Sequence, residues 1–304
     1  MGKIAFVFAG QGAQYSGMGK TLYENSPAAK ALYDGAEAIR PGTMAQSFEG
    51  TAEELKRTEI TQPCLYLCDL GAALALTELG VKPDAAAGFS LGEIAALAYA
   101  GAYTGEEGFR IVTHRGAVMG EAAGKHDTAM AAVLKLDAAV IEALCAEVGD
   151  VYPVNYNSAA QTVVSGTKEA IAALKEKLAA YPCRVMDLAV SGAFHSPFMA
   201  EAAEAFGAKL GEFDITAPAM PVYANRTAAP YGEDVRETMT AQIKSPVLWE
   251  KTILAMIGEG FDTFIEVGPG KTLTGLIKKI DKSVKVYNAD DYESVKAAAS
   301  EVLG

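Results

Sequence analysis

Short apolar runs and longer amphipathic stretches alternate through the first third of the chain. Ile4 to Phe8 is an unbroken apolar run of the length that suits a strand covered on both faces. Helical spacing follows over Lys20 to Ile39 and over Cys64 to Leu79. A second apolar run, Ala85 to Gly88, precedes helical segments at Leu91 to Ala100 and Glu106 to Gly120. Strand and helix in alternation predict a parallel sheet packed between helices.

The rhythm changes near Met130. Strand-like Ala131 to Leu136, helical Ala138 to Val148, strand-like Val151 to Asn157 and Thr162 to Gly166, helical Lys168 to Ala180 and strand-like Cys183 to Leu188 give the order βαββαβ, a ferredoxin-like arrangement. The chain then resumes with a helix over Pro197 to Leu210, strands near Val222 to Ala224 and Thr263 to Glu266, and the turn Gly268-Pro269-Gly270. The fold class expected is α/β. A large α/β-hydrolase-like domain with a parallel sheet core, residues 1–127 and 194–304, carries an inserted ferredoxin-like subdomain, residues 128–193.

Composition narrows the class. Half of the 304 residues are apolar and 21% are charged, which favours a well-buried core over disorder. The net charge of −12 argues against nucleic acid and anionic membrane surfaces as partners. No run approaching 18 apolar residues and no signal-peptide pattern stands out, and Cys64, Cys68, Cys145 and Cys183 show neither a CxxC clip nor a paired framework. A cytoplasmic protein with reduced, structural cysteines is expected.

Gly88-Phe89-Ser90-Leu91-Gly92 lies between an apolar run and a helical one, the setting of a nucleophile elbow. A serine hydroxyl needs a base and a stabilised oxyanion, and only three histidines are available. His126 sits in a polar connection. His114 is mid-helix beside Arg115, and neighbouring helical residues diverge by about 100°, so the two cannot both face one site. His195, in Ser191-Gly192-Ala193-Phe194-His195-Ser196-Pro197, follows a strand on a loop and is the candidate base. Gly10-Gln11-Gly12-Ala13-Gln14 follows the first strand directly. Beside an elbow this turn would offer one oxyanion N–H, with the second from Leu91. Arg115, in a largely apolar helix, requires an anionic partner within the protein or on a substrate. Lys271, Lys278, Lys279, Lys282 and Lys285 concentrate positive charge on an acidic chain, with Lys278 and Lys282 on one face if the segment is helical.

These segments together resemble the malonyl-CoA:acyl-carrier-protein transacylases and the related acyltransferase domains of polyketide and fatty acid synthases. The residues that carry the resemblance are Gly10-Gln11-Gly12 with Gln14, Gly88-Phe89-Ser90-Leu91-Gly92-Glu93, Arg115-Gly116, Asn155 with Asn157-Ser158, Ala193-Phe194-His195-Ser196 and Glu266-Val267-Gly268-Pro269-Gly270. The resemblance implies ping-pong transfer in fatty acid biosynthesis, from malonyl-CoA through a malonyl ester of Ser90 to the phosphopantetheine thiol of acyl carrier protein, with no cofactor and a monomeric enzyme. His195 would be the base, oriented by a backbone carbonyl near Gln242. Gln11 and Leu91 would stabilise the oxyanion. Arg115 would pair with the malonyl carboxylate. Phe194 would exclude a branched acyl group, and Asn157 would contact substrate or brace the loop. Lys271, Lys278 and Lys279 would dock the carrier protein. The family commonly has His where this chain has Phe89, so no accessory imidazole adjoins the nucleophile.

Other readings are a stand-alone acyltransferase serving a polyketide carrier protein, or a serine thioesterase or hydrolase. The hydrolase reading leaves Arg115 without a purpose and lacks an evident triad acid. A non-catalytic docking module would not need both Ser90 and His195.

Overall fold

Alternation within the strands decides which apolar layer each side chain joins. In Lys3–Phe8 (β1), Phe6 and Phe8 enter one layer while Ala5 and Val7 enter the other, and all four are fully buried. The structure is a computed structural model that describes residues 2–190 and 192–304; Ser191, part of the segment leading to His195, lies outside the described residues.

Two sheets organise the chain. The first contains β1, Ala85–Gly88 (β2), Val222–Ala224 (β7), Ala229–Pro230 (β8), Phe261–Val267 (β9) and Lys285–Ala289 (β10), in the order β10-β9-β1-β2-β7-β8. All its neighbours pair in parallel except the short edge strand β8. The second contains Thr128–Leu134 (β3), Val151–Ser158 (β4), Gln161–Thr167 (β5) and Arg184–Asp187 (β6), in the order β4-β5-β3-β6, every pair antiparallel. The chain is thus α/β, with a mostly parallel sheet and a second antiparallel one.

The helix Thr58–Glu78 is the centre of the larger apolar cluster, packed with Phe6, Phe8, Tyr33 and Ile111. By length and composition it could cross a membrane, which the sequence reading did not anticipate, yet 89% of its apolar window is buried inside the protein. The helices Trp249–Gly258 and Thr272–Ile280 cover the opposite face of the first sheet through Trp249, Ile253, Leu276 and Ile277. The second sheet has its own cluster, in which Val133, Val151 and Val164 meet Ile141, Leu144, Ile171 and Leu174. It joins the rest through β4, where Val247 donates to the carbonyl of Val154 at 2.8 Å and accepts from Tyr156 at 2.9 Å.

Several elements differ from the sequence expectation. The helical stretch Lys20 to Ile39 is two helices, Lys20–Asn25 and Pro27–Ile39, because Ser26 is extended, caps the Ala29 amide and precedes a proline at the first helical position. The helix expected from Cys64 begins at Thr58 and carries Pro63 within it. The expected strand over 131–136 runs from Thr128 to Leu134. The shared face expected for Lys278 and Lys282 does not form, since the helix Thr272–Ile280 ends before Lys282. Asp281 closes it by donating its N–H to Ile277 and accepting from the Ser283 amide at 2.7 Å. No disulfide forms among the described residues, and burial pushes the Cys64 and Cys145 thiols up to about 12, so both are poor nucleophiles at neutral pH.

Close packing at the end of β2 depends on glycine. A Cβ on Gly92 would lie 2.3 Å from the carbonyl oxygen of Phe8. Gly92→Ala is therefore expected to lower the midpoint of thermal unfolding by several degrees, at a cost of about 1–3 kcal/mol. Gly275→Ala, in an exposed helical position with nothing within 4 Å of the added carbon, should be neutral or stabilising. Equal effects of the two substitutions in calorimetry would contradict this packing account.

Candidate active site

Ser90 and His195 are held in backbone conformations that few residues other than glycine adopt, with φ of 53° and 61°. Ser90 occupies the turn between β2 and the helix Gly92–Tyr99. The Ser90 amide donates to Asn225 Oδ1 at 2.7 Å and Asn225 Nδ2 donates to the Gly88 carbonyl at 2.6 Å, so one side chain clamps both sides of the elbow. A Cβ on Gly88 would fall 2.0 Å from the Gly92 carbonyl carbon, which explains why the turn opens with glycine.

The Ser90 hydroxyl lies 2.6 Å from His195 Nε2. His195 Nδ1 is 3.1 Å from the carbonyl oxygens of both Gln242 and Ser245. Carbonyls only accept, so Nδ1 carries the proton and Nε2 presents its lone pair to the serine. The sequence reading placed one orienting carbonyl near Gln242; Ser245 supplies a second. Burial, reinforced by the positive charge of Arg115, lowers the His195 pKa to about 4, against the opposing pull of the two carbonyls. The imidazole is thus neutral at physiological pH, the form that can accept a proton.

Arg115 is fully buried beside this pair. Its guanidinium donates to Gln62 Oε1 at 2.8 Å, Gln242 Oε1 at 2.9 Å and Ser90 Oγ at 3.2 Å. These acceptors are all neutral. Among the described residues no carboxylate forms an ion pair with Arg115, and its Nε has no hydrogen-bond partner. Desolvation lowers its pKa to about 10, leaving it charged at neutral pH. His114 points elsewhere, toward the Ala205 carbonyl at 3.4 Å, as helical divergence requires.

Gln11 follows β1, the strand beside β2, so the Gly-rich turn and the elbow meet at the C-terminal ends of adjacent parallel strands. A Cβ on Gly10 would be 2.8 Å from the Phe89 carbonyl oxygen. The backbone N–H groups of Gln11 and Leu91 donate to no protein acceptor among the described residues. Gln11 anchors its side chain on Thr58 Oγ1 at 3.3 Å.

A cleft opens over these groups, lined by Ser90, His195, Gln11, Gln62 and Phe194. It shares Gln11, Phe89, Asn155 and Leu188 with an adjoining cleft between the second sheet and the start of the helix Thr272–Ile280. Asn157 lines the second cleft rather than the one at Ser90, and both Asn155 Oδ1 and Asn157 Oδ1 are buried without partners among the described residues. Phe89 packs against Trp249, with ring centroids 5.5 Å apart.

Lys271 directly precedes the helix that borders this second cleft, while Lys278 and Lys279 lie in its last turn. All three are exposed, and none forms an ion pair among the described residues.

Sequence reasoning assigned no role to Gln62, Asn225 or Ser245. Asn225 had a legible signal, as a polar residue one position beyond a parallel strand; Ser245 lies in the same local segment as Gln242, and Gln62 is brought in only by tertiary packing.

A match to the acyl transferase domain family spans residues 5–300. The chain is 40% identical over 306 aligned residues to a malonyl CoA-acyl carrier protein transacylase of Bacillus subtilis, covering 98% of this chain and 96% of that protein. It superposes with a TM-score of 0.95 and 36% identity on the crystal structure of a malonyl CoA-acyl carrier protein transacylase from Clostridium perfringens, covering 99% and 97% of the two chains. A malonyl-transacylase in complex with a type II PKS acyl-carrier protein matches with a TM-score of 0.93 and 31% identity over 98% and 99% of the two chains. The chain belongs to the acyl transferase family, and within it to the malonyl CoA-acyl carrier protein transacylases.

Proposed function

We propose that this protein transfers the malonyl group of malonyl-CoA to the phosphopantetheine thiol of acyl carrier protein in fatty acid biosynthesis. The observation that carries this reading is a buried guanidinium, bonded only to neutral acceptors, within reach of the Ser90 hydroxyl. A malonyl ester of Ser90 places its free carboxylate three bonds from Oγ, and a carboxylate is a stronger partner for Arg115 than the amide oxygens it would replace. Gln62, which lines the cleft and accepts from Arg115, is the contact to be exchanged.

The transfer runs in two half-reactions. His195 Nε2 takes the Ser90 proton as Oγ bonds to the thioester carbonyl carbon. The oxyanion is received by the N–H groups of Gln11 and Leu91. Collapse breaks the carbon–sulfur bond, and the imidazolium returns its proton to the departing coenzyme A thiolate. The carrier-protein thiol then loses its proton to His195 and attacks the ester carbonyl, and Ser90 leaves with that proton. The carbonyls of Gln242 and Ser245 hold the ring and stabilise the transient imidazolium, the role an aspartate has in hydrolase triads.

Phe194, buried on the wall of the Ser90 cleft, limits the acyl group to an unbranched malonyl, and Asn157 in the adjoining cleft offers an acceptor to the amides of the pantetheine arm. Lys271, Lys278 and Lys279 receive the acidic carrier protein. Neither half-reaction calls for a cofactor. We read residues 1–127 and 194–304 as an α/β-hydrolase-like domain, supported by the strained serine between strand and helix, and 128–193 as a ferredoxin-like insert, supported by the sheet order β4-β5-β3-β6. The working form is a cytoplasmic monomer.

Arg115→Ala should reduce kcat/KM for malonyl-CoA by about 10²- to 10³-fold, the scale of a lost buried charge-assisted pair, and change acetyl-CoA loading far less. Parallel losses for both acyl groups would remove the carboxylate-binding role. Lys278→Glu should raise KM for acyl carrier protein several-fold and leave acylation by malonyl-CoA unchanged. Equal damage to both half-reactions would contradict docking at this helix.

A further inference from the structure

A second buried ionisable group acts electrostatically on Arg115 and takes no part in the transfer just described. Glu93 is fully buried in the first turn of the helix that follows the elbow. One carboxylate oxygen accepts from the Asn225 amide at 2.7 Å and the other from the Tyr231 hydroxyl. Asn225 is the residue whose side chain clamps Ser90 and Gly88. Gln242 completes the connection, donating to the Ser90 carbonyl at 2.7 Å while accepting from Arg115. Glu93 therefore reaches the elbow through Asn225 and stays out of ion-pair contact with Arg115 among the described residues.

We propose that Glu93 is a specificity-positioning residue: a buried counter-anion, fixed by Tyr231 and Asn225 and linked to Arg115 through Asn225 and Ser90, that balances the guanidinium in the empty site and sets how strongly it prefers an acyl group carrying a carboxylate. The proposal rests on the malonyl-transfer reading given above. Direct pairing would occupy the guanidinium and exclude the substrate carboxylate. Complete absence of a counter-charge would leave a cation uncompensated in the interior. Placement beyond Asn225 and Ser90, out of direct contact, satisfies both constraints.

The charged and titratable groups acting on Glu93 are Arg115, Tyr103 and Tyr231. Burial pushes both phenols far above their ordinary value, so they stay neutral and the charge balance is between Glu93 and Arg115 alone. Burial also raises the Glu93 carboxyl to about 7, with its hydrogen bonds and Arg115 acting in the opposite direction. Below that pH Glu93 becomes neutral and Arg115 is left unopposed. An anionic acyl group then gains attraction, while a neutral one gains none.

The test measures acylation of Ser90 by malonyl-CoA and by acetyl-CoA from pH 5.5 to 8.5, taking the ratio of the two kcat/KM values so that effects on His195 cancel. In the wild type the malonyl preference should rise by about fivefold to tenfold as pH falls through 7. Glu93→Gln should show the raised preference at every pH, seen chiefly as a lower KM for malonyl-CoA, and Tyr231→Phe should displace the midpoint upward by removing a donor to the carboxylate. A wild-type ratio independent of pH would overturn the proposal, even if Glu93→Gln failed to fold. So would a folded Glu93→Gln that slows both acyl groups equally, since that result describes support of the elbow alone. Failure of wild-type Ser90 to acquire any malonyl group would instead overturn the transferase reading itself.

Discussion

A guanidinium with no exposed surface and no ion-pair partner among the described residues is the constraint around which the site is arranged. Burying such a charge costs several kcal/mol unless its donors are satisfied; Gln62, Gln242 and Ser90 meet the two terminal nitrogens with neutral oxygens, while Nε stays unpartnered among the described residues. On the proposed reading, the cost is retained because the group stays available to a carboxylate that arrives with the substrate. The same charge acts on its neighbours. It helps burial to depress the His195 pKa, which keeps the base neutral, and opposes burial in raising that of Glu93.

The arrangement holds because the backbone beneath it is tightly packed. The first two parallel strands end side by side, and glycines at 10, 88 and 92 let the Gly-rich turn, the elbow and the following helix approach to distances that a side chain would forbid. Asn225 and Gln242 fasten the elbow from a third strand and from a helix distant in sequence. In the proposed mechanism, preorganisation of this kind is what lets the Gln11 and Leu91 N–H groups receive an oxyanion without rearranging.

Much of this was legible in the chain because local signals coincide with function. The elbow, the Gly-rich turn and the loop of His195 each follow an apolar strand-like run, and scarcity of histidine singled out the one that lies 2.6 Å from the Ser90 hydroxyl. Arg115 was conspicuous as a charge in an apolar helix. The βαββαβ order also appeared in the pattern, since β3 and β5 carry compact buried runs between helical stretches. What escaped depends on long-range packing. Gln62 approaches Arg115 from the helix Thr58–Glu78, whose start was read too late because Pro63 resembles a boundary. Strand β10 and the helix Tyr292–Leu303 were unread, as β10 has only one fully buried residue and presents little apolar periodicity. Lys278 and Lys282 were placed on one face only by assuming a helix that Asp281 terminates.

The central claim is that Ser90 carries the acyl group between two thiols. Intact-protein mass spectrometry after brief exposure to malonyl-CoA, with peptide mapping of any adduct, tests it most directly. The account predicts a single malonyl adduct on Ser90, absent from Ser90→Ala and discharged by holo acyl carrier protein with the malonyl group recovered on the carrier. Steady release of coenzyme A and free malonate, with no malonyl group reaching the carrier, would contradict it and identify a hydrolase.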